Sequence, residues 1–506
     1  MAEAGADSSN AAVDGGGGSV QNDYPTIDPT SFDVVLCGTG LPESVLAAAC
    51  AAAGKTVLHV DPSPFYGSLY SSIQLSSLAS FLSREATPPT STVAAAASDW
   101  HTVVDLHRRI VYSEVETSGA APEPARRFTI DLVGPRVLYC ADEAVDLLLR
   151  SGGSHHVEFK SVEGGSLLYW EGCLYPVPDS RQAIFKDTTL KLKEKNILFR
   201  FFKLVQAHIA AASASADETG QGDAPARILE EDLDLPFVEF LKKQGLPPKM
   251  RAVVLYAIAM ADYNQDVLAT RFIIQVLRMP VVALLMDEEK KHFVGARLVS
   301  GQDILCQQLI IDPSYKTILD VPFDGSDSHF PRKVVRGVCI ISKSVKQGSS
   351  NVLVIFPPKS LEEQQVTAVR LLQLSSNLAV CPPGMFMSYL STPCTDVSVG
   401  KQCIKKAIDA LYSPQASDGS EDHLETASES TEDVKPTLIW SCVYVQEITQ
   451  GTAGPLLSCP MPDEYLDYRN ILGSTKKLFA SIYADEEFLP KKSAPVYAND
   501  DSDSAE

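Results

Sequence analysis

The chain of 506 residues is predicted to form an α/β domain that is interrupted by a helical domain. Strand-like apolar segments flank an amphipathic helix near the amino terminus and return throughout the second half of the chain. The residues between these two regions instead show helical periodicity. An alternation of strands with helices is typical of a sheet that contains parallel strands.

A strand–helix–strand unit lies at residues 32–61. The apolar run FDVVLCG (32–38) predicts a buried strand, and LPESVLAAACAAAG (41–54) predicts a helix closed by Gly54. KTVLHVD (55–61) predicts the second strand. About thirty residues is the usual length for two parallel strands joined by a right-handed crossover.

Further apolar runs predict strands in the remainder of the α/β domain. They are SLLYWEG (166–172), CLYPV (173–177), VVALLMD (281–287), VVRGVCIIS (334–342), NVLVIFP (351–357), MFMSYLST (385–392) and TLIWSCVYVQE (437–447). Helices are predicted at 180–212 and 235–260. In the first of these, an apolar stripe is formed by Leu190, Ile197, Phe201 and Leu204.

These patterns divide the chain into three folded parts and several polar segments. The folded parts are 28–178, the helical domain 179–268, and 276–480. Segments 1–24 and 490–506 are small, polar or acidic, and we expect them to be disordered tails. The internal stretches 85–98, 211–226 and 413–436 are rich in Ser, Ala, Pro or acid and are expected to be solvated loops.

The composition excludes some classes of function. Acidic residues outnumber basic ones 64 to 43, so the net charge of −21 disfavours nucleic acid and suits a partner with a basic face. No apolar run approaches the roughly 18 residues of a membrane span, and the amino terminus has no signal-peptide pattern. The 11 cysteines contain no C-x-x-C pair, which indicates reduced thiols in a cytosolic protein.

The first strand-to-helix turn resembles a dinucleotide-binding loop. Gly38 and Gly40 occupy the turn where such folds bind a diphosphate, and Asp61 ends the second strand, where an acid would bind a ribose. Glu43 replaces the third glycine of the motif. A carboxylate near 4 Å from a diphosphate would cost about 4 kcal/mol at an effective dielectric of 20. We therefore expect an inherited turn that holds no flavin.

Other motifs do not indicate catalysis. Gly54-Lys55-Thr56 resembles the end of a phosphate-binding loop, but it closes a helix and opens a strand, which is the reverse order. The sequence has no G-x-S-x-G and no H-E-x-x-H motif, and its nine histidines lack the spacing of a zinc site. We expect a non-catalytic binding protein without a metal or cofactor.

The sequence contains GTGLPES (38–44) followed by FYG (65–67), a combination specific to one superfamily. On these motifs it resembles the Rab escort proteins and Rab GDP-dissociation inhibitors. The resemblance covers most of residues 30–450 in order. Its further segments are 128–152, 157–185, 294–315, 332–346 and 351–360.

The resemblance implies a flavin-oxidase-like domain I without flavin and a helical domain II. Domain I would carry a platform for the GDP form of Rab GTPases, with Tyr66 and Gly67 at the contact; taken without the family, Tyr66-Gly67 is only a turn. Phe185 matches the aromatic that docks on the Rab geranylgeranyltransferase α/β dimer. Asn196 stands where many escort proteins have an arginine, which puts the strength of this docking in doubt.

One departure from the family lies between Asp266 and Val276. The family has several dozen residues here, including a motif of the form Y-G-x-G-E-L-P-Q followed by an arginine. No GELPQ occurs in this chain. Half of the Rab platform is therefore expected to be missing.

The resemblance implies an escort protein that presents newly made Rab to the transferase and delivers the geranylgeranylated product to membranes from the cytosol. The long insertions of this chain at 85–98 and 413–436 favour an escort protein. A dissociation inhibitor that extracts prenylated Rab is the alternative, and a flavin-dependent oxidoreductase is a second one.

Overall fold

Two large sheets and a set of helices make up a computed structural model of the chain. It describes residues 26–490 except 62, 64, 84–100, 110, 140–142, 152, 179–180, 214–227, 229–236, 259, 261–280, 288–292, 299–301, 318–331, 416–434 and 449–455. The expected tails, most of the three expected loops and the departure at 266–276 therefore lie outside the described residues.

The first sheet has eight strands and contains the predicted strand–helix–strand unit. Its strands are β1 (Ser31–Cys37), β2 (Val57–Val60), β4 (His101–Arg108), β9 (Val281–Asp287), β10 (Phe293–Leu298), β11 (Asp303–Ile311), β12 (Tyr315–Thr317) and β19 (Leu456–Ser458). The order is β12-β4-β9-β10-β11-β1-β2, and β19 also pairs with β11. β1 lies parallel to both β2 and β11, as the motif predicted for the first pair.

The second sheet has nine strands and is largely antiparallel. Its strands are β5 (Tyr112–Ser118), β7 (Ser166–Trp170), β8 (Cys173–Pro176), β13 (Arg332–Ile341), β14 (Val352–Phe356), β15 (Val369–Ser375), β16 (Phe386–Cys394), β17 (Ser413–Pro414) and β18 (Thr437–Ile448). The order is β17-β18-β13-β16-β15-β14-β7-β8, with β5 beside β18. A small third sheet pairs β3 (Ser72–Gln74) with β6 (Thr129–Asp131).

Nine α-helices are described. They are α1 (Leu41–Ala52), α2 (Leu75–Leu82), α3 (Glu143–Arg150), α4 (Arg181–Lys186), α5 (Leu192–Ser213), α6 (Phe237–Lys243), α7 (Pro248–Ala252), α8 (Val397–Leu411) and α9 (Arg469–Ile482). A π-helical turn at Val253–Ile258 continues α7. α1 ends where Gly54 adopts a φ of 75° and its N–H donates to the Ala51 carbonyl, so GKT closes this helix.

The helices at 181–258 share one hydrophobic core with the second sheet. Leu190, Leu198 and Phe201 are buried in this core beside Val338 and Leu353, which lie on strands β13 and β14. Ile197 and Leu204 pack against the same cluster, so the part of the predicted stripe that lies on α5 faces inward, whereas Leu190 lies in the connection between α4 and α5. On α5, Leu192, Lys193 and Asn196 are exposed at the surface.

Candidate functional site

The glycine turn follows β1 at the edge between the first sheet and helix α1. Gly38 has a φ of 115°, and its N–H donates to the Val60 carbonyl at 2.8 Å. A Cβ atom at Gly38 would lie 2.7 Å from the Cβ of Asp312, so a larger residue would collide there. The turn is thus closed by strand β2 on one side and by the end of strand β11 on the other.

Glu43 fills the space above this turn. Its side chain is 1% exposed, and a side chain on Gly40 would collide with its carboxyl group. No described residue makes a hydrogen bond of normal geometry to either carboxyl oxygen. Glu43 belongs to the first turn of α1. Its carboxyl group thus occupies the place where the diphosphate of a dinucleotide would have to approach the backbone.

Burial favours the neutral form of the Glu43 carboxyl group. Burial raises the pKa of Glu43 well above its ordinary value, and the Asp312 carboxylate adds to the shift. We expected repulsion of a diphosphate by a charged carboxylate. The structure adds a steric reason, because the buried Glu43 side chain itself occupies the space beside Gly40.

Glu43→Gln is expected to flatten the pH dependence of stability. Because the pKa of Glu43 is raised in the folded state, the carboxyl group contributes to the free energy of unfolding. This contribution is fully present below about pH 4.3 and is lost as pH rises towards the folded pKa. The loss is about 1.4 kcal/mol per pH unit over that window, and glutamine cannot undergo it. Chemical denaturation from pH 4 to pH 8 should show the variant gaining stability over the parent as pH rises. The exposed Glu363→Gln should track the parent, and a parallel course for Glu43→Gln would contradict the assignment.

Asp61 does not face a ribose site but binds inward. Its carboxylate is 2% exposed and accepts hydrogen bonds from the Ser63 N–H at 2.6 Å and the Ser68 hydroxyl at 3.2 Å. The Thr39 hydroxyl donates to it as well. The acid predicted to bind a cofactor is therefore engaged by the protein's own loop.

Tyr66 and Gly67 lie on the loop that Asp61 holds. The Tyr66 side chain is 58% exposed. Gly67 has a φ of 105°, and a Cβ there would lie 2.7 Å from the Cα of Ser71, so the turn requires glycine. The structure thus brings Tyr66, Gly67 and the glycine turn of the sequence motif into one site.

The cavity beside this turn is too small for a dinucleotide. It has a volume of about 60 Å³ and is lined in part by Ser68, Arg109, Tyr112 and Asp312. Ligand pockets usually measure roughly 300–1,000 Å³. Together with the position of Glu43 and the inward bonds of Asp61, this volume shows that the site does not fit a flavin dinucleotide.

Phe185 and Asn196 lie on the helical part of the chain, on α4 and α5. The Phe185 side chain is 47% exposed, and its ring lies 5.6 Å from that of Phe199 between centroids. The Lys195 ammonium donates to the Phe185 carbonyl at 2.9 Å and links the two helices. Asn196 is exposed on α5. An aromatic ring that is supported by a second ring but half exposed is suited to contact a partner.

Sequence reasoning missed three residues of the site. The sequence motif could have identified Thr39 and Ser68, since Thr39 lies between the two glycines and Ser68 follows Gly67. Asp312 gave no local signal, because it reaches the turn only through the parallel pairing of β11 with β1.

Family models match most of the two halves of the chain. Residues 28–116 and 97–220 match the model described as GDP dissociation inhibitor, and residues 334–464 match RAE1/2 domain I, C-terminal region. Rab escort protein 1 of Arabidopsis thaliana is 40% identical over 547 residues, which cover 94% of this chain and 96% of the relative. That alignment is longer than the 506 residues of the chain, so the relative contains residues with no counterpart here.

Two more distant comparisons agree. Rab proteins geranylgeranyltransferase component A of Drosophila melanogaster is 24% identical over 514 residues, covering 92% of this chain and 91% of the relative. The crystal structure of a Rab GDI from Plasmodium falciparum has a TM-score of 0.59 at 16% identity, covering 90% of this chain and 99% of that one. This structure confirms the predicted Rab GDI-like α/β fold. On the 40% identity over nearly its whole length, the chain belongs to the Rab escort protein family.

Proposed function

We propose that this chain is a Rab escort protein, which binds newly made GDP-bound Rab GTPases and presents them to the Rab geranylgeranyltransferase α/β dimer. The observation that carries the proposal is the 40% identity to Rab escort protein 1 over 94% of the chain. Rab is the substrate that is modified, and this chain is a non-catalytic accessory subunit. Delivery of the prenylated Rab to membranes completes the role.

The Rab contact is assigned to Tyr66 and Gly67. A tyrosine that is 58% exposed on a turn whose backbone is fixed by Gly67 can contribute a large contact area at little cost in conformational entropy. Tyrosine is among the residues most enriched at the energetic centres of interfaces. In this assignment the α/β parts 28–178 and 276–480 form domain I, which carries the platform.

The transferase contact is assigned to the helical domain at 179–268. Phe185 supplies the aromatic anchor, and Asn196 is an exposed residue of the next helix. Since Asn196 provides no positive charge, docking depends more on the ring and on the lipid substrate than in relatives with arginine there. The geranylgeranyl group of the product and a transient contact with membrane belong to the same proposal.

Membrane association in this proposal is peripheral and starts from the cytosol. No described helix is both long enough and apolar enough to cross a bilayer. The net charge of −21 disfavours tight binding to anionic lipid by this chain itself, so the prenyl group of the bound Rab supplies most of the membrane affinity.

Stimulation of prenylation separates escort function from the alternatives. The catalytic dimer, unprenylated GDP-bound Rab and geranylgeranyl diphosphate should yield prenylated Rab only when this chain is added. Extraction of prenylated Rab from membranes without such stimulation would instead favour a dissociation inhibitor. Release of stoichiometric FAD when the purified chain is denatured would favour an oxidoreductase and contradict the account of Glu43.

A further inference from the structure

The Asp61 carboxylate connects the end of strand β2 to the turn that carries Tyr66. One of its oxygens accepts from the Ser63 N–H, and the other accepts from the hydroxyls of Ser68 and Thr39. The buried carboxylate therefore fixes residues on both sides of Tyr66. Charge-assisted hydrogen bonds of this kind are stronger than neutral ones.

Thr39, between the two glycines of the turn, makes the remaining connections. Its hydroxyl accepts from the Gly67 N–H at 3.0 Å while donating to Asp61. Its own N–H donates to the Ser68 hydroxyl oxygen at 3.1 Å. One side chain and one backbone group thus hold the two residues that directly follow Tyr66.

The turn needs such support, because its backbone is unfavourable. Gly67 and Ser68 have φ values of 105° and 46°, and the left-handed region is disfavoured for serine. A residue in such a conformation persists only where the surroundings determine it. The Ser71 hydroxyl also donates to the Ser68 carbonyl at 2.7 Å, which closes the turn from its other end.

We infer that Thr39 and Asp61 are positioning residues for Rab recognition, because their hydrogen bonds hold the Tyr66 turn in its binding conformation. The inference rests on the proposed function and extends it to residues that do not themselves contact Rab. In this inference, two residues of the dinucleotide-like motif support the turn that contacts Rab. Holding the turn before binding saves the entropy of ordering it in the complex.

Titration of GDP-bound, unprenylated Rab against the full chain tests this inference. Thr39→Val keeps the shape of the side chain but removes the hydroxyl, and it should weaken Rab binding at least about tenfold, which corresponds to about 1.4 kcal/mol. Thr39→Ser keeps the hydroxyl and should bind within about threefold of the parent, a difference of well under 1 kcal/mol. Ser68→Ala removes the hydroxyl that bonds to the Thr39 N–H and to the Asp61 carboxylate. It should also weaken Rab binding.

A double-mutant cycle distinguishes positioning from a general loss of structure. If Thr39 acts through Tyr66, Thr39→Val should cause little further loss in a Tyr66→Ala background. An equal loss in both backgrounds would overturn the inference. Parent-like binding by both Thr39→Val and Ser68→Ala, while Tyr66→Ala binds weakly, would overturn the inference and leave the platform intact. No effect of Tyr66→Ala would overturn the platform as well.

Discussion

Restoring the family's segment between Asp266 and Val276 is expected to strengthen binding of GDP-bound Rab at least about a hundredfold. A platform in two parts binds by presenting both parts to one Rab surface, and hot-spot residues commonly contribute 2 kcal/mol or more each. Since each 1.4 kcal/mol is about a factor of ten, two such contacts exceed this ratio. A family member that carries the GELPQ-type motif would donate the segment.

The same insertion should raise the melting temperature. In the sequence only about ten residues join Asp266 to Val276, whereas the resemblance implies a longer segment with a helix that would cover part of the sheet. Apolar surface left bare in this way favours aggregation. Differential scanning calorimetry of both chains would measure the gain.

An insertion of equal length in which the GELPQ-type motif is replaced by Gly and Ser is the matched control. It restores the spacing but not the contacts, so it should leave Rab affinity near that of the chain as given. If the chain as given binds Rab as tightly as the restored one, the two-part account of the platform is wrong. If the control gains as much as the restored chain, spacing rather than contact is responsible.

The elements that could be predicted are those in which a run of consecutive apolar residues indicates burial. β1 and β2 are short apolar runs buried on both faces, and their parallel pairing followed from the helix between them. β5 could not be recognised in this way. Its last five residues are exposed and include two glutamates, and it is a strand because it pairs with β18, more than 300 residues away.

Helix α8 shows a signal that sequence reasoning did not use. Its buried residues Cys403, Ile404, Ala407 and Leu411 follow helical spacing, and Asp396 caps its first turn by accepting from the Ser398 N–H.

Strand β11 makes one pairing between residues that are close in the sequence and one between distant residues. Its antiparallel pairing with β10 joins residues at most about ten positions apart, whereas its parallel pairing with β1 joins residues about 270 positions apart.

Within the candidate site, the residue types were predictable but their contacts were not. The sequence predicts that Glu43 excludes a diphosphate, but the raised pKa of its carboxyl group depends on burial and on Asp312, which follows a distant strand. Asp61 was read as the acid of a cofactor site because the motif specifies its position and not its partners. Its inward hydrogen bonds depend on the conformation of residues 63–68.

Phe185→Ala is expected to weaken docking on the transferase by about 2–4 kcal/mol, as for an aromatic anchor at the centre of an interface. This corresponds to a loss of about 30- to 1,000-fold in affinity. The affinity for Rab should hardly change, because Tyr66 lies on the loop that follows β2 and Phe185 lies on the helical part of the chain. Titration of the catalytic dimer, with and without geranylgeranyl diphosphate, would measure the first quantity, and titration of Rab the second.

Two variants sharpen this measurement. Phe159 is 57% exposed on a loop outside the helices, so Phe159→Ala removes an exposed ring of the same kind and should leave docking unchanged. Asn196→Arg restores the positive charge that many escort proteins have at this position and should strengthen docking, with less dependence on the lipid substrate. An equal loss of transferase and Rab affinity in Phe185→Ala, accompanied by a lower melting temperature, would show that the ring's packing on Phe199 supports the fold and that the transferase docks elsewhere.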